Sequence, residues 1–257
     1  AKIHYLNKIS DKGTALWTQD YQLTEDINEA AAILVRSAAM HDMELPAELL
    51  AIARAGAGVN NIPIDRCSKE GIVVFNTPGA NANGVKELAV CALMLASRNV
   101  VGGIEWAKTL EGTEGVAKAV EAGKSKFAGV EIKGKTLGVI GLGAIGGMVA
   151  NSAKSLGMKV IGCDPYITVD GAWHLSRSIV KADNYDEIFA KSDYITLHVP
   201  STKDTKGMIN AQTIAQMPDG VRILNYSRDG LVNTDAVLEA LKSGKVAKYV
   251  TDFGNDK

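Results

Sequence analysis

Gly141, Gly143 and Gly146 stand in the spacing Gly-x-Gly-x-x-Gly, and Asp164 closes the next apolar run downstream. Glycines so spaced allow a tight turn, a close approach of backbone to a charged ligand, and close packing of a helix on a strand. The free N–H groups at the start of that helix, with Ala144 and Ile145 next in line, face an anion. A carboxylate placed like Asp164 accepts from two vicinal hydroxyls. Pyrophosphate and ribose together mean a dinucleotide. The spacing alone is weak in a chain with 26 glycines, so its context decides. An apolar strand precedes it, an alanine-rich helix ending at Gly157 follows, and a second apolar strand ends on the acid. Asp164 repels a 2′-phosphate, and Pro165 and Tyr166 supply no cation beside it, so the cofactor expected is NAD.

A second candidate is Arg228, three residues beyond the apolar run that ends at Asn225 and ahead of a helix capped near Thr234. A guanidinium fork binds a carboxylate with two parallel hydrogen bonds and polarises the adjacent carbonyl, the task of a catalytic arginine. Ligands of open parallel sheets gather beyond the carboxyl ends of the strands. Val199, Pro200, Tyr226, Ser227 and Asp252 occupy such ends here. In the first third, Lys8, Arg36 and Arg54 sit at strand ends and are candidates for a terminal phosphate. The loop Gly56, Ala57, Gly58 can offer backbone N–H groups to a carboxylate.

The elements that must position these residues alternate between β and α, which implies parallel strands with crossover helices. Strands are expected over 3–6, 32–35, 51–54 and 72–75, with a helix over 62–70 that tolerates Pro63 in its first turn and stops at Gly71. Residues 83–99 read as one long helix, apolar nearly all round and so buried between two bodies, with the domain boundary at 99–103. A charged, alanine-rich helical segment is expected over 104–127, then a turn over 129–134. Further strands are expected over 194–199, 222–225 and 246–251.

With 257 residues, 46% hydrophobic and a net charge of −1, the composition is that of one large or two medium globular domains and argues against nucleic acid as a partner. No apolar run approaches the roughly 18 residues of a membrane helix. The start is too brief for a signal-peptide core, so the expectation is a cytoplasmic protein with no membrane partner. Cys67, Cys91 and Cys163 have no metal-type spacing and are expected as buried free thiols.

The glycine motif, Leu197-His-Val-Pro200, the block 225–244 and Tyr249-Val-Thr-Asp252-Phe together resemble the D-isomer-specific 2-hydroxyacid dehydrogenases. Within that family, Arg54-Ala-Gly-Ala-Gly-Val-Asn-Asn-Ile62 and Phe75-Asn-Thr-Pro-Gly-Ala-Asn81 resemble the branch that acts on 3-phospho-D-glycerate in serine biosynthesis. The resemblance implies two doubly wound α/β domains. One is a flavodoxin-like substrate domain over 1–99 and the other a Rossmann NAD domain over 100–257, with the active site in the cleft. It also implies that Thr77, Ala144 and Ile145 touch NAD, that Val199 serves the adenosine side, with Pro200 among the cofactor contacts, and that Tyr226, Ser227, Arg228 and Asp252 serve the nicotinamide side. Homodimerisation through 104–127 is a further implication.

The family's acid/base histidine, with the glutamate that orients it, has no counterpart among His4, His41, His174 and His198. Spacing from Arg228 places the glutamate at about Lys257, with Asp256 as a substitute, and the histidine beyond. The expectation is therefore a portion of a longer chain. Three other readings remain open: a dehydrogenase of lactate or glycerate, an NAD(H)-sensing binding protein, and an inactive fragment.

Overall fold

The computed structural model describes residues 1–254 of the chain. Asp256 and Lys257, where the orienting acid is expected, lie outside the described residues. Two compact units divide between Asn81 and Ala82.

The first unit is a parallel sheet of β1 (Lys2–Tyr5), β2 (Gln22–Leu23), β3 (Ala32–Val35), β4 (Ala51–Arg54) and β5 (Val73–Phe75), in the order β2-β1-β3-β4-β5. That is the flavodoxin-like order. Two short helices, α1 (Asp11–Thr14) and α2 (Ile64–Glu70), join the strands. Pro63 is the N-cap of α2 rather than part of its first turn, and Gly71 ends it in the left-handed conformation at φ 75°. Ile33, Val35, Ile52, Ile62 and Cys67 form the core.

The second unit begins with α3 (Ala82–Ser97), α4 (Val100–Lys108) and α5 (Val116–Gly123). The sheet follows: β6 (Thr136–Ile140), α6 (Ala144–Ser155), β7 (Lys159–Cys163), α7 (Val169–Trp173), β8 (Val180–Lys181), α8 (Tyr185–Lys191) and β9 (Tyr194–Leu197). It finishes with α9 (Ala211–Gln216), β10 (Val221–Asn225), α10 (Thr234–Ser243) and β11 (Val246–Thr251). All pairings are parallel, in the order β11-β10-β9-β6-β7-β8. Counted from β6, this is the order of a dinucleotide-binding sheet. Side-chain alternation gives each face its own core. Leu137, Val139, Val160 and Leu224 face α3 and α6, while Ile140, Ile161, Ile195 and Ile223 face α8, α9 and α10.

Four expectations are corrected. Helix α3 belongs with the second unit, because Ala89, Ala92, Leu93 and Ala96 pack against Val149, Ala150 and Ala153 of α6. It is not buried all round: small residues line the buried face, and Leu88, Cys91, Met94 and Leu95 are exposed. Cys91 is therefore not a buried thiol, whereas Cys67 and Cys163 are. The segment 104–127 is not one helix, since Gly112 and Gly115 turn the chain at φ 74° and 72° between α4 and α5. Among the described residues no single helix is long and apolar enough to cross a membrane, and α3 with α4 meets that length only as a pair bent by 68°.

Candidate cofactor site

In the second unit the loops after β6, β7, β9, β10 and β11 leave the sheet at its carboxyl end. Gly141 takes φ 89°, and a Cβ there would meet the His198 carbonyl oxygen at 2.6 Å. A Cβ on Gly146 would collide with the Gly141 carbonyl oxygen and lie 3.2 Å from the His198 Cβ. Both glycines are thus required by the protein's own packing. Gly143 is different: its φ is −67° and a Cβ there meets nothing within 4 Å. Glycine at that position leaves space beside the N-terminus of α6.

That N-terminus is bare. Thr168, Asn184, Asn210 and Asn233 cap α7, α8, α9 and α10 with their side chains, whereas the N-cap of α6 is Gly143 and has no side-chain cap. The first N–H groups of α6 are left for a ligand, and the helix dipole adds partial positive charge there. The space at Gly143 and the uncapped helix fit a pyrophosphate.

Asp164 links two of the loops. Its Oδ2 accepts from the Leu142 N–H at 2.8 Å and its Oδ1 from the Tyr166 N–H at 2.9 Å. The carboxylate therefore also fixes the glycine turn and the loop after β7. Each oxygen keeps acceptor capacity for a hydroxyl. Asp164 lines two clefts, of about 430 Å³ and 330 Å³. The first is walled by Leu142, Cys163, Pro165 and Ile179; the second reaches Gly143, Ala144 and Asn151.

The loop after β10 is held from below. Buried Asn225 donates through Nδ2 to the Arg228 carbonyl at 2.9 Å and accepts through Oδ1 from the Ser227 N–H at 3.2 Å. Ser227 Oγ donates to the Val199 carbonyl at 2.6 Å, joining this loop to the one after β9. The Arg228 guanidinium is exposed and donates to the Ser227 carbonyl at 2.6 Å. Tyr226 packs against the core; burial, with the Asp252 charge adding to it, pushes its phenol upward. Val199 is buried, while Pro200 and Asp252 are exposed.

His198 lies under the glycine turn. Its Nε2 shares a 2.9 Å hydrogen bond with Thr196 Oγ1, while its buried Nδ1 has no partner. Burial pulls the imidazole down to about 4, so it is neutral at pH 7. One ring nitrogen is thus satisfied and the other is not.

In the first unit, Lys8, Arg36, Arg54, the Gly56–Gly58 loop and Thr77 also follow strand ends. Asn7 Oδ1 accepts from the N–H groups of Arg36, Ser37 and Ala38 at 2.9 to 3.0 Å, bracing the loop after β3. Arg54 Nε donates to Asn61 Oδ1 at 3.2 Å. The Gly56 N–H is donated to the Arg54 carbonyl at 2.9 Å, and the Thr77 N–H to the Gly56 carbonyl at 3.0 Å. Of the three amides expected to be offered to a carboxylate, that of Gly56 is therefore committed within the loop. The bracing asparagines were missed in the sequence. Asn225, two residues before Ser227 at a strand end, carried the one available signal, the side-chain-to-backbone turn that asparagine favours.

Residues 92–257 match the family described as D-isomer specific 2-hydroxyacid dehydrogenase, NAD binding domain. The chain belongs to this family. It is 39% identical over 237 residues to D-3-phosphoglycerate dehydrogenase of Archaeoglobus fulgidus, covering 90% of this chain and 42% of that protein. It is 36% identical over 253 residues to D-3-phosphoglycerate dehydrogenase of Methanocaldococcus jannaschii, covering 97% of this chain and 46% of that protein. The chain thus spans less than half the length of these relatives. Among solved structures it resembles D-lactate dehydrogenase from Aquifex aeolicus complexed with NAD and lactic acid, with a TM-score of 0.78 and 27% identity, covering 100% of this chain and 78% of that one. The cofactor of this NAD-binding domain is NAD, in agreement with the Gly143 space and the uncapped α6.

Proposed function

We propose that the protein oxidises the C2 hydroxyl of 3-phospho-D-glycerate with NAD, giving 3-phosphohydroxypyruvate, the first step of phosphorylated serine biosynthesis. The bare N-terminus of α6 beside Gly143 carries this reading, and the names of the two relatives support the choice of acid. When bound, NAD supplies the hydride acceptor.

In this reading Gly141, Gly143, Ala144, Ile145 and Gly146 receive the pyrophosphate, and Asp164 accepts from the ribose hydroxyls. Val199 and Pro200 line the adenosine side. Tyr226, Ser227, Asp252 and Thr77 complete the contacts to the cofactor. Arg228 grips the substrate carboxylate, and the Asn225 amide holds its loop in place for that role. In the substrate-binding unit, Ala57 and Gly58 donate to the carboxylate, and Lys8, Arg36 and Arg54 receive the phosphate. The hydroxyl proton needs a base. His198 Nε2 is engaged with Thr196 and its Nδ1 is buried, so the proton-accepting pair is assigned outside the described residues.

Exposed Ile104, Val116 and Val120 of α4 and α5 support a homodimer through 104–127. A cytoplasmic location fits such a metabolic enzyme.

A second reading, a D-lactate dehydrogenase, is favoured by the structural neighbour. Initial rates of the full-length protein with NAD and either 3-phospho-D-glycerate, D-glycerate or D-lactate separate the two. The phosphorylated acid is expected to have a kcat/KM at least about tenfold higher, as a site built around a charged group rejects an analogue lacking it. A preference for lactate overturns the choice of acid. Turnover surviving Arg228→Ala overturns the chemistry.

A further inference from the structure

At the amino end of the second unit's sheet, opposite the glycine turn, lies a cavity of about 330 Å³ lined by Arg98, Arg222 and Lys248, with Asn99 and Gly129 on its rim. Its lining includes no acidic residue. Arg98 follows α3, Arg222 is the second residue of β10, and Lys248 is the third residue of β11.

Arg222 is fixed. Its Nε donates to the Ala96 carbonyl at 2.9 Å, its Nη1 donates to the Gly220 carbonyl at 3.3 Å, and its guanidinium lies 5.1 Å from the centre of the Tyr194 ring. These bonds leave Nη2 for another acceptor. Among the described residues no carboxylate forms an ion pair with Arg98, Arg222 or Lys248. On the neighbouring α10 and its exit, by contrast, Lys242 pairs with Glu239 and Lys245 with Asp219.

Attraction to the negative end of α3 does not account for all three cations. Four carbonyls in the last turn and a half of that helix are already occupied. Leu93 accepts from Ser97 Oγ, Met94 from the Arg98 N–H, Ala96 from Arg222 and Ser97 from the Val130 N–H. Arg98 and Lys248 add charge where Arg222 has completed the cap. Like charges gathered at one cavity repel, and an anion shared between them removes the repulsion. The guanidinium fork of Arg98, the remaining Nη2 of Arg222 and an ammonium match a tetrahedral oxyanion with several acceptor oxygens.

We propose that this cavity binds a phosphate group, as a second anion site distinct from the cofactor loops. The ligand is inorganic phosphate or the phosphate of a small metabolite, held by Arg98, Arg222 and Lys248.

The test is calorimetric titration of inorganic phosphate, and separately of glycerol 3-phosphate, at constant ionic strength set with NaCl. The proteins compared are the unaltered chain, Arg98→Gln/Lys248→Gln, and a control with the same charge change elsewhere, Lys118→Gln/Lys242→Gln. Arg98 and Lys248 are exposed, so the double variant keeps its fold, which its thermal transition checks. A saturable phosphate site that weakens about tenfold or more in the first variant and persists in the control supports the proposal. Binding of both ligands assigns recognition to the phosphate group, and binding of inorganic phosphate alone assigns it to the free ion. Absence of saturable binding, or equal binding by all three proteins, overturns it. Because the substitutions leave the α6 end untouched, phosphate held there gives the overturning result, not the supporting one.

Discussion

The loops at the carboxyl ends of the two sheets are braced by different means. In the second unit the loops are tied by an acid, a hydroxyl and a buried amide: Asp164 to Leu142, Ser227 to Val199, and Asn225 to its own loop. What they leave open is bare backbone at Gly143 and the uncapped start of α6. In the first unit, Asn7 braces the loop after β3 and Asn61 holds Arg54, while the side chains of Lys8 and Arg36 are exposed. Parallel sheets place both sets at strand ends, but topology does not choose the chemistry. A bare helix terminus suits a diester embedded in a larger cofactor. Long cations suit a small, fully charged acid.

The sharpest way to break this contrast lies within the glycine turn. Gly146→Val should destabilise the second unit by about 3 kcal/mol or more and abolish NADH binding, because its Cβ has no room against Gly141 and His198. Gly143→Ala should cost less than about 1 kcal/mol in thermal unfolding, yet weaken NADH about tenfold by filling ligand space. Equal stability losses in the two variants contradict the division between packing and ligand glycines.

Acid should act next. His198 carries an imidazole lowered from 6.5 to about 4, a difference worth about 3 kcal/mol at most. Between those values the unfolded chain binds a proton that the native state refuses. Stability is therefore full above the unfolded value and falls as pH drops toward 4. Urea unfolding of the second unit across this range should show that slope, and His198→Gln should flatten it.

Asp164→Ala removes the acceptor of two N–H groups and should cost about 2 kcal/mol. It should also weaken NADH and narrow its advantage over NADPH. The smallest effect is expected in the first unit. Asn7→Ala unties three amides at a partly exposed loop, costing about 1 kcal/mol, and leaves NADH affinity unchanged. A fall in NADH affinity with Asn7→Ala would contradict the separation of roles.

The parts of the molecule readable in advance are those where one physical demand dominates. Thr136–Ile140 and Lys159–Cys163 are buried on both faces, so their apolar runs announce strands. Strands β2 and β8 have two residues each at sheet edges and leave no periodicity to find. The alanines of α3 read as apolar all round because small residues conceal which face is packed. The turn at Gly112 and Gly115 was hidden by the helix-favouring residues on either side. In the site, the positions of Asp164 and Arg228 followed from strand ends, but their partners did not. Whether a carboxylate spends its oxygens on neighbouring N–H groups depends on loop geometry that residue types alone do not carry.

The most direct test of the account is calorimetric titration of NADH and NADPH into the unaltered chain and Gly143→Ala. The account predicts one site that favours NADH by about tenfold or more, lost or weakened in Gly143→Ala while the thermal transition stays nearly in place. Absence of NADH binding, equal affinity for both nucleotides, or undiminished binding by the variant would contradict it.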